Sequence, residues 1–342
     1  MITLEHDRLA FRFPEVHEDA RLDMTFQRTL RIPDDDRTYP LPPGLGCFPL
    51  RHVDDFSARV PEDWRPRGGV MLPMFQSEAL WISFARYSDY PVAVKVATGK
   101  INAVDGKPWT SGLVRAPQNY MTVPPQPWLD GYCVAKGVIR QFVAMPLGDG
   151  YTAEEQITGE AEHGGIQIVA HPMKREVYEE WRRRQEEEGE RVYAGAPRML
   201  RGRMAVAAAA PDMGLAPGGR MRQHIYDDAH GIEAWDQAHG SRCFVAIANS
   251  LSWRAITGEA PLTLPPTARD YAKAKLPWFH YYADAPALEG ASALDKLLSV
   301  VGMGKKKGET PLPENEPADA TVVVPLGPDK PGPRPVREAV LE

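Results

Sequence analysis

One short run constrains the fold of this 342-residue chain more than any other. It is Val138-Ile139-Arg140-Gln141-Phe142-Val143-Ala144-Met145, apolar except for Arg140 and Gln141, with Gly137 before it and Pro146 after it. Its length, its β-branched and aromatic content and its borders predict a buried strand. Leu147-Gly148-Asp149-Gly150 is turn chemistry, because glycine reaches positive φ without steric cost. Gly164 and Gly165 then open a second strand over 166–170, which Pro172 ends. Between the two, residues 151–163 carry Glu154, Glu155, Glu160, Glu162 and His163. Connections are polar by default, so this one reads as solvated, although a polar loop between buried strands is also where binding groups sit.

The same vocabulary recurs along the chain. Residues 24–32 alternate apolar and polar with period two, as a half-buried strand does. Residues 92–96 and 100–104 flank Ala97-Thr98-Gly99 as a hairpin. Residues 219–226 and 243–248 read as further strands. Residues 76–84, QSEALWISF, fit a strand or a buried helical turn equally. The chain holds 33 prolines and 29 glycines, which favours short strands and many turns over helical bundles.

Three helices are expected. The clearest covers 174–191, with Val177, Tyr178 and Trp181 as a narrow apolar stripe amid interleaved Glu and Arg. Thr267 caps a short one through 274, and Ser292 caps one over 293–300. The predicted fold is α+β and mainly β, with antiparallel or mixed sheets and a few peripheral helices.

Its organisation reads as a peripheral lead-in over 1–22 and a mainly β domain over 23–191. A second α+β region over 192–303, or a continuation of the same domain, begins with a long connection to 218. A Pro/Gly-rich tail at 304–342 looks disordered, since its composition buries too little to offset ordering entropy. Thr321-Val322-Val323-Val324-Pro325-Leu326 is its one apolar stretch, suited to dock as a strand on a sheet edge of its own or a neighbouring subunit. An echo also links two stretches. Residues 139–141 and 221–223 both read as an apolar residue, Arg and Gln, and each precedes a G-x-x-A-x-x-Q-x-x-G tetrad, at Gly150 and Gly231. Duplication and chance both explain it.

Composition excludes several classes. A net charge of −6 argues against a nucleic-acid partner, whose phosphates need a basic face. The N-terminus has no apolar signal core, and the longest apolar run, 204–211, is far short of a span. Cys47, Cys133 and Cys243 lie far apart, an odd number without a CxxC pair. A disulfide framework is therefore not expected, and a reducing cytoplasm is the natural home.

Candidate site residues are few. Glu78 is the one charge in its apolar run, and a buried carboxylate needs a partner or its pKa rises. Glu162 and His163, with His171 beyond the second strand, could run general acid–base work. His224, Asp227, Asp228 and His230 form the densest polar cluster, of a chemistry that suits a divalent metal, but with no ligand spacing of a known motif. No P-loop, G-x-S-x-G elbow or G-x-G-x-x-G run is present, so no cofactor is expected, a divalent metal being the alternative.

Several segments resemble one family. They are LRIPDDDRTYPLPPGLGCFPL at 30–50, VKVATGKINAVDGKPW at 94–109, the stretch 126–168, FVAIANSLSWRAITGEAP at 244–261 and KLPWFHYY at 275–282. Together they look like an uncharacterised family of about this length, found mainly in bacteria and sometimes labelled integral membrane protein. The resemblance covers most of residues 24–303. It implies no activity and no catalytic residue, and the absence of a spanning segment sits against the membrane label.

The expectation is a soluble, self-associating structural or interaction protein without catalytic activity, a homo-oligomer of the cytoplasm. The alternative is a hydrolase or metal-dependent enzyme using His163 with Glu162, or the cluster from His224 to His230.

Overall fold

A computed structural model describes residues 1–35, 37–85, 89–188, 212–281, 285–310 and 313–326. Two large sheets dominate. The first runs in the order Ile2–Leu4, Leu9–Arg12, Arg21–Thr29, Ala79–Ala85, Val138–Pro146, Met213–Arg222 and Thr38–Tyr39, with three short strands beside this path. The second runs Ile101–Asn102, Val92–Thr98, Ile166–Pro172, Ser241–Asn249, Val70–Met74 and Arg51–His52, with Met121–Val123 also paired to Val92–Thr98. Most pairings are antiparallel. Two are parallel, Met213–Arg222 with Thr38–Tyr39 and Ser241–Asn249 with Val70–Met74, so both sheets are mixed. The protein is mainly β, with a few short helices.

The burial pattern explains why the strands read as continuous apolar runs. Phe142 and Ala144 point into one large core that also takes Val94, Val96, Ile166, Ile168, Val245 and Ile247 from the second sheet. The alternate residues Val143 and Met145 point to the other face, where Val300 and Met303 cover them. The second sheet is covered in the same way. Ala246 and Ala248 turn away from the shared core onto Trp64, Trp253 and Ile256. Strands buried on both faces lose the polar alternation that marks a half-solvated one.

Several elements differ from expectation. Residues 1–22 are not peripheral, since they supply two strands and bury Leu9, Phe11 and Phe13 in the main core. The strand expected over 219–226 is Met213–Arg222 and takes in the end of the supposed connection. Its glycines lie where neighbours press closest: a Cβ on Gly218 would sit 2.5 Å from Val143, and one on Gly219 2.5 Å from the Pro33 carbonyl. The earlier part of that connection, and the run 204–211, lie outside the described residues. Residues 76–84 resolve as a strand, Ala79–Ala85.

The polar loop at 151–163 contains a helix, Ala153–Thr158, held by a capping box between Thr152 and Glu155. The second G-x-x-A tetrad instead forms a 3-10 turn, Ile232–Ala234, so the two echoed stretches fold differently. Ile139 and Met221, from the two echoed triplets, lie opposite each other in neighbouring strands. The helix expected over 293–300 is two, Ser292–Asp295 and Val300–Lys307, and the capping serine of the longer is Ser299, not Ser292.

The C-terminal region begins inside that last helix. Glu314 reaches Arg31 at 3.3 Å and Asp319 reaches Arg37 at 3.3 Å. Val323–Leu326 then pairs in parallel with Trp278–Tyr281 of the same chain. Phe279 exchanges two 2.8 Å backbone hydrogen bonds with Leu41, which ties this ribbon to the outside of the first sheet. Residues 327–342 lie outside the described residues. Among the described residues no helix is long and apolar enough to cross a membrane.

Candidate functional site

The second sheet carries an unusual row of polar groups on its outer face. Antiparallel register sets Lys95 and Arg242 on either side of Val169, and His171 follows two residues along the same strand. Residues two apart share a face, so the row is Lys95, Val169, Arg242 and His171. The segment 109–114 folds over it. Lys95 is 1% exposed. Its Nζ donates to the carbonyl of Thr110 at 2.5 Å, the Thr110 hydroxyl at 3.2 Å and the carbonyl of Gly112 at 2.7 Å. It also lies 5.1 Å from the Trp109 ring centroid. Burial without a directly bonded carboxylate pulls the ammonium down to about 8, which the charge of Asp105 only partly opposes.

Next to this lysine lies a cavity of about 160 Å³, lined by Ser111, Gly112, Val169, His171, Gln237, Ala238, Gly240 and Arg242. His171 forms one wall and is 4% exposed. Its Nε2 lies 3.3 Å from the Ser111 carbonyl. Since a carbonyl can only accept, Nε2 carries the proton. Nδ1 is buried and makes no hydrogen bond. Burial lowers the imidazole pKa, Lys95 adds to that, and the backbone carbonyls of Ser111 and Asp236 with the Asp236 carboxylate oppose it. Gly240 closes the site: any Cβ there would come 2.4 Å from the ring.

The other sequence candidates lie elsewhere. Glu78 is buried and ion-paired, its Oε1 2.6 Å from Arg28 Nε, and its Oε2 accepts from the Phe75 N–H at 2.9 Å. His163 and Glu162 form a pair at 3.6 Å near the start of the strand that ends beside His171. Five residues of strand separate Ile166 from His171, roughly 17 Å, so the two histidines do not converge. The carboxylate of Glu154 fixes this loop by accepting the N–H groups of Glu162 at 3.1 Å, His163 at 2.8 Å and Gly164 at 2.8 Å.

The cluster from His224 to His230 disperses. Asp227 pairs with Arg115 at 3.2 Å. Asp228 is buried and accepts from Tyr120 Oη at 2.6 Å, Trp235 Nε1 at 3.0 Å and the His230 N–H at 2.8 Å. The His230 ring packs edge-on against Trp181 and Trp235. His224 packs over Gly137, where a Cβ would lie 2.7 Å from its Nε2. Asp228 therefore works as a knot joining three segments. Among the described residues no three His, Cys, Asp or Glu side chains are placed to share a metal ion.

Of the expected site residues, only His171 lines the cavity. Lys95, Ser111, Gln237 and Arg242 were not legible as site residues, and one signal was present: Lys95 is the single charge in the run Val92-Ala93-Val94-Lys95-Val96-Ala97. Compared with models of protein families, with curated proteins and with solved structures, the chain matches none of them.

Proposed function

We propose that the protein is a non-catalytic, self-associating interaction protein, soluble and cytoplasmic, whose copies meet through its C-terminal ribbon. One observation carries this. Ten large apolar side chains are exposed among the described residues, and five of them, Leu276, Val322, Val323, Val324 and Leu326, belong to the ribbon of Trp278–Tyr281 and Val323–Leu326 and its approaches. Single exposed apolar residues are ordinary, but a contiguous set marks an interaction surface.

The ribbon's chemistry supports a closed contact between copies over open-ended strand addition. In a parallel pair, alternate residues direct their backbone groups to the partner. The Val322 carbonyl accepts from the Trp278 N–H at 2.8 Å, so the backbone groups of Val322 and Val324 point to the paired strand and those of Val323 and Pro325 point to the outer edge. Proline has no N–H, so the outer edge loses a donor where a further strand would need one. Apolar side chains then supply the contact. The three cysteines are unpaired, as a reducing compartment favours.

Size-exclusion chromatography with light scattering tests the proposal. The wild type should run at a multiple of 38.0 kDa. Val322→Glu combined with Val324→Glu should return it to a monomer with an unchanged melting temperature. A wild type monomeric at about 50 μM, well above the dissociation constant of a specific interface, overturns it.

A further inference from the structure

We infer that residues 313–326 are a displaceable strap over a groove that receives an acidic, extended segment of a partner protein. The strap shows what the groove takes. Its three carboxylates each meet a separate arginine: Glu314 meets Arg31 at 3.3 Å, Glu316 meets Arg269, and Asp319 meets Arg37 at 3.3 Å. Arg37 also donates to the Ala318 carbonyl at 3.3 Å. Between the last two of these pairs, Ala318 is buried on an apolar floor of Ile32, Tyr39, Leu41, Ile139, Met221 and Trp278. Val323–Leu326 then runs parallel to Trp278–Tyr281. The groove thus selects charge at three points, a small apolar residue between two of them and an extended backbone beyond.

The resident strap is held weakly. Arg37, Arg269 and Glu316 are about half exposed, Asp319 is more so, and ion pairs in water contribute little. Val323–Leu326 is exposed along its length and belongs to a sheet of only two strands, which is marginal by itself. Its fit to the body is also incomplete. Arg31 is buried, and Glu314 and Asp34 offset its charge, yet its Nε and Nη2 make no hydrogen bond. Trp278 Nε1, in the same apolar cluster as Ala318, is likewise buried without one. Buried donors left without acceptors weigh against the closed arrangement. The strap of a second copy would bring the same contacts without the advantage of a tether. The occupant is therefore a partner segment with the same carboxylate spacing and more acceptors. Self-association is not a premise here, since peptide binding is read equally on a monomer and on an assembly.

Fluorescence anisotropy with the full chain at neutral pH and low ionic strength tests this. The probes are a labelled peptide with the sequence of residues 313–326 and the same peptide with its three carboxylates replaced by amides. The wild type is compared with a variant that combines Glu314→Gln, Glu316→Gln and Asp319→Asn, which loosens the resident strap and should leave the melting temperature nearly unchanged. The variant should bind the acidic peptide at least about fivefold more tightly than the wild type, because its own strap competes less. The amide peptide should bind about tenfold more weakly than the acidic one, and salt at about 0.5 M should remove most of that difference. Adding Arg37→Ala and Arg269→Ala to the variant should reverse its gain. Three results overturn the inference: no binding of the acidic peptide to the variant, equal binding to variant and wild type, or equal binding of the two peptides.

Discussion

Arg28 and Glu78 form a buried ion pair in which Nη2 lies 2.5 Å from the carboxylate, with the glutamate side chain fully buried and the arginine side chain 8% exposed. The pair is completed on both sides. Glu78 also accepts the Phe75 N–H, and Arg28 also donates to the Thr263 carbonyl at 2.6 Å. Burial pushes the Glu78 carboxyl up, and the guanidinium opposes that shift. Removing one partner strands the other's charge, so Arg28→Met should cost about 3–5 kcal/mol. Replacing both, as Arg28→Met with Glu78→Leu, should recover much of that loss. Urea melts of the four proteins give the coupling, and additive losses would mean that the pair is not ionised.

The sequence shows the partner requirement of Glu78 but not the partner, which lies 50 residues away in the neighbouring strand. The same limit recurs. The strands at 138–146 and 166–172 were legible because burial on both faces leaves apolar runs with hard borders. Met213–Arg222 was not fully legible, because Pro217 and Gly214, Gly218 and Gly219 read as a loop. The three glycines stand there because Thr152, Val143 and Pro33 approach them closely, and only the tertiary fold shows that. The capping box of Thr152 and Glu155 was visible as T-x-x-E and passed for a polar connection. In the candidate site, His171 could be named from sequence. Gln237 and Arg242 join it only because sheet register and a folded-over loop bring 111, 171, 237 and 242 together.

Phe142 tests the shared core directly. It is fully buried, packs edge-on against Tyr132 at 4.9 Å between centroids and lies opposite Leu80 in the adjacent strand. Phe142→Ala removes a large side chain from the core shared by the two sheets and leaves a cavity there. The expected loss is about 3–5 kcal/mol. A urea melt showing a loss below about 1 kcal/mol, typical of a surface change, would place the residue outside the core.

Lys95 should leave a signature at alkaline pH. Its folded pKa, about 8, lies below the ordinary lysine value of 10.5. Between these values the unfolded chain holds the proton and the folded chain does not, so this residue's contribution to stability rises from pH 8 to pH 10. Cys133 and Cys243, whose thiols burial pushes up to about 12, act in the opposite sense over that range. The comparison must therefore be between wild type and Lys95→Met at each pH, in which the thiols cancel. The wild type should gain on the variant as pH rises, and a difference that stays constant from pH 7 to pH 10 would show that the amine is not held near neutrality.

Asp130 gives the opposite slope in a lower window. It is 3% exposed, and its Oδ2 accepts a single side-chain hydrogen bond, from Trp128 Nε1 at 2.5 Å. Burial pushes its carboxyl up to about 7, with the indole N–H opposing. An unfolded aspartate titrates near 3.9. Between about pH 4 and pH 7 the folded chain therefore holds a proton that the unfolded chain has released. The contribution of Asp130 is most favourable below this window and falls as pH rises through it, until above pH 7 the fold carries a buried, unpaired carboxylate. Asp130→Asn keeps an oxygen for the indole and cannot ionise. At pH 4 the variant should match the wild type closely, and by pH 8 it should be the more stable protein by up to about 4 kcal/mol. Denaturant melts of both proteins at pH 4, 6 and 8 measure the gap. A gap that does not widen with pH would mean that water or a cation already serves the carboxylate, and that the site is open to solvent.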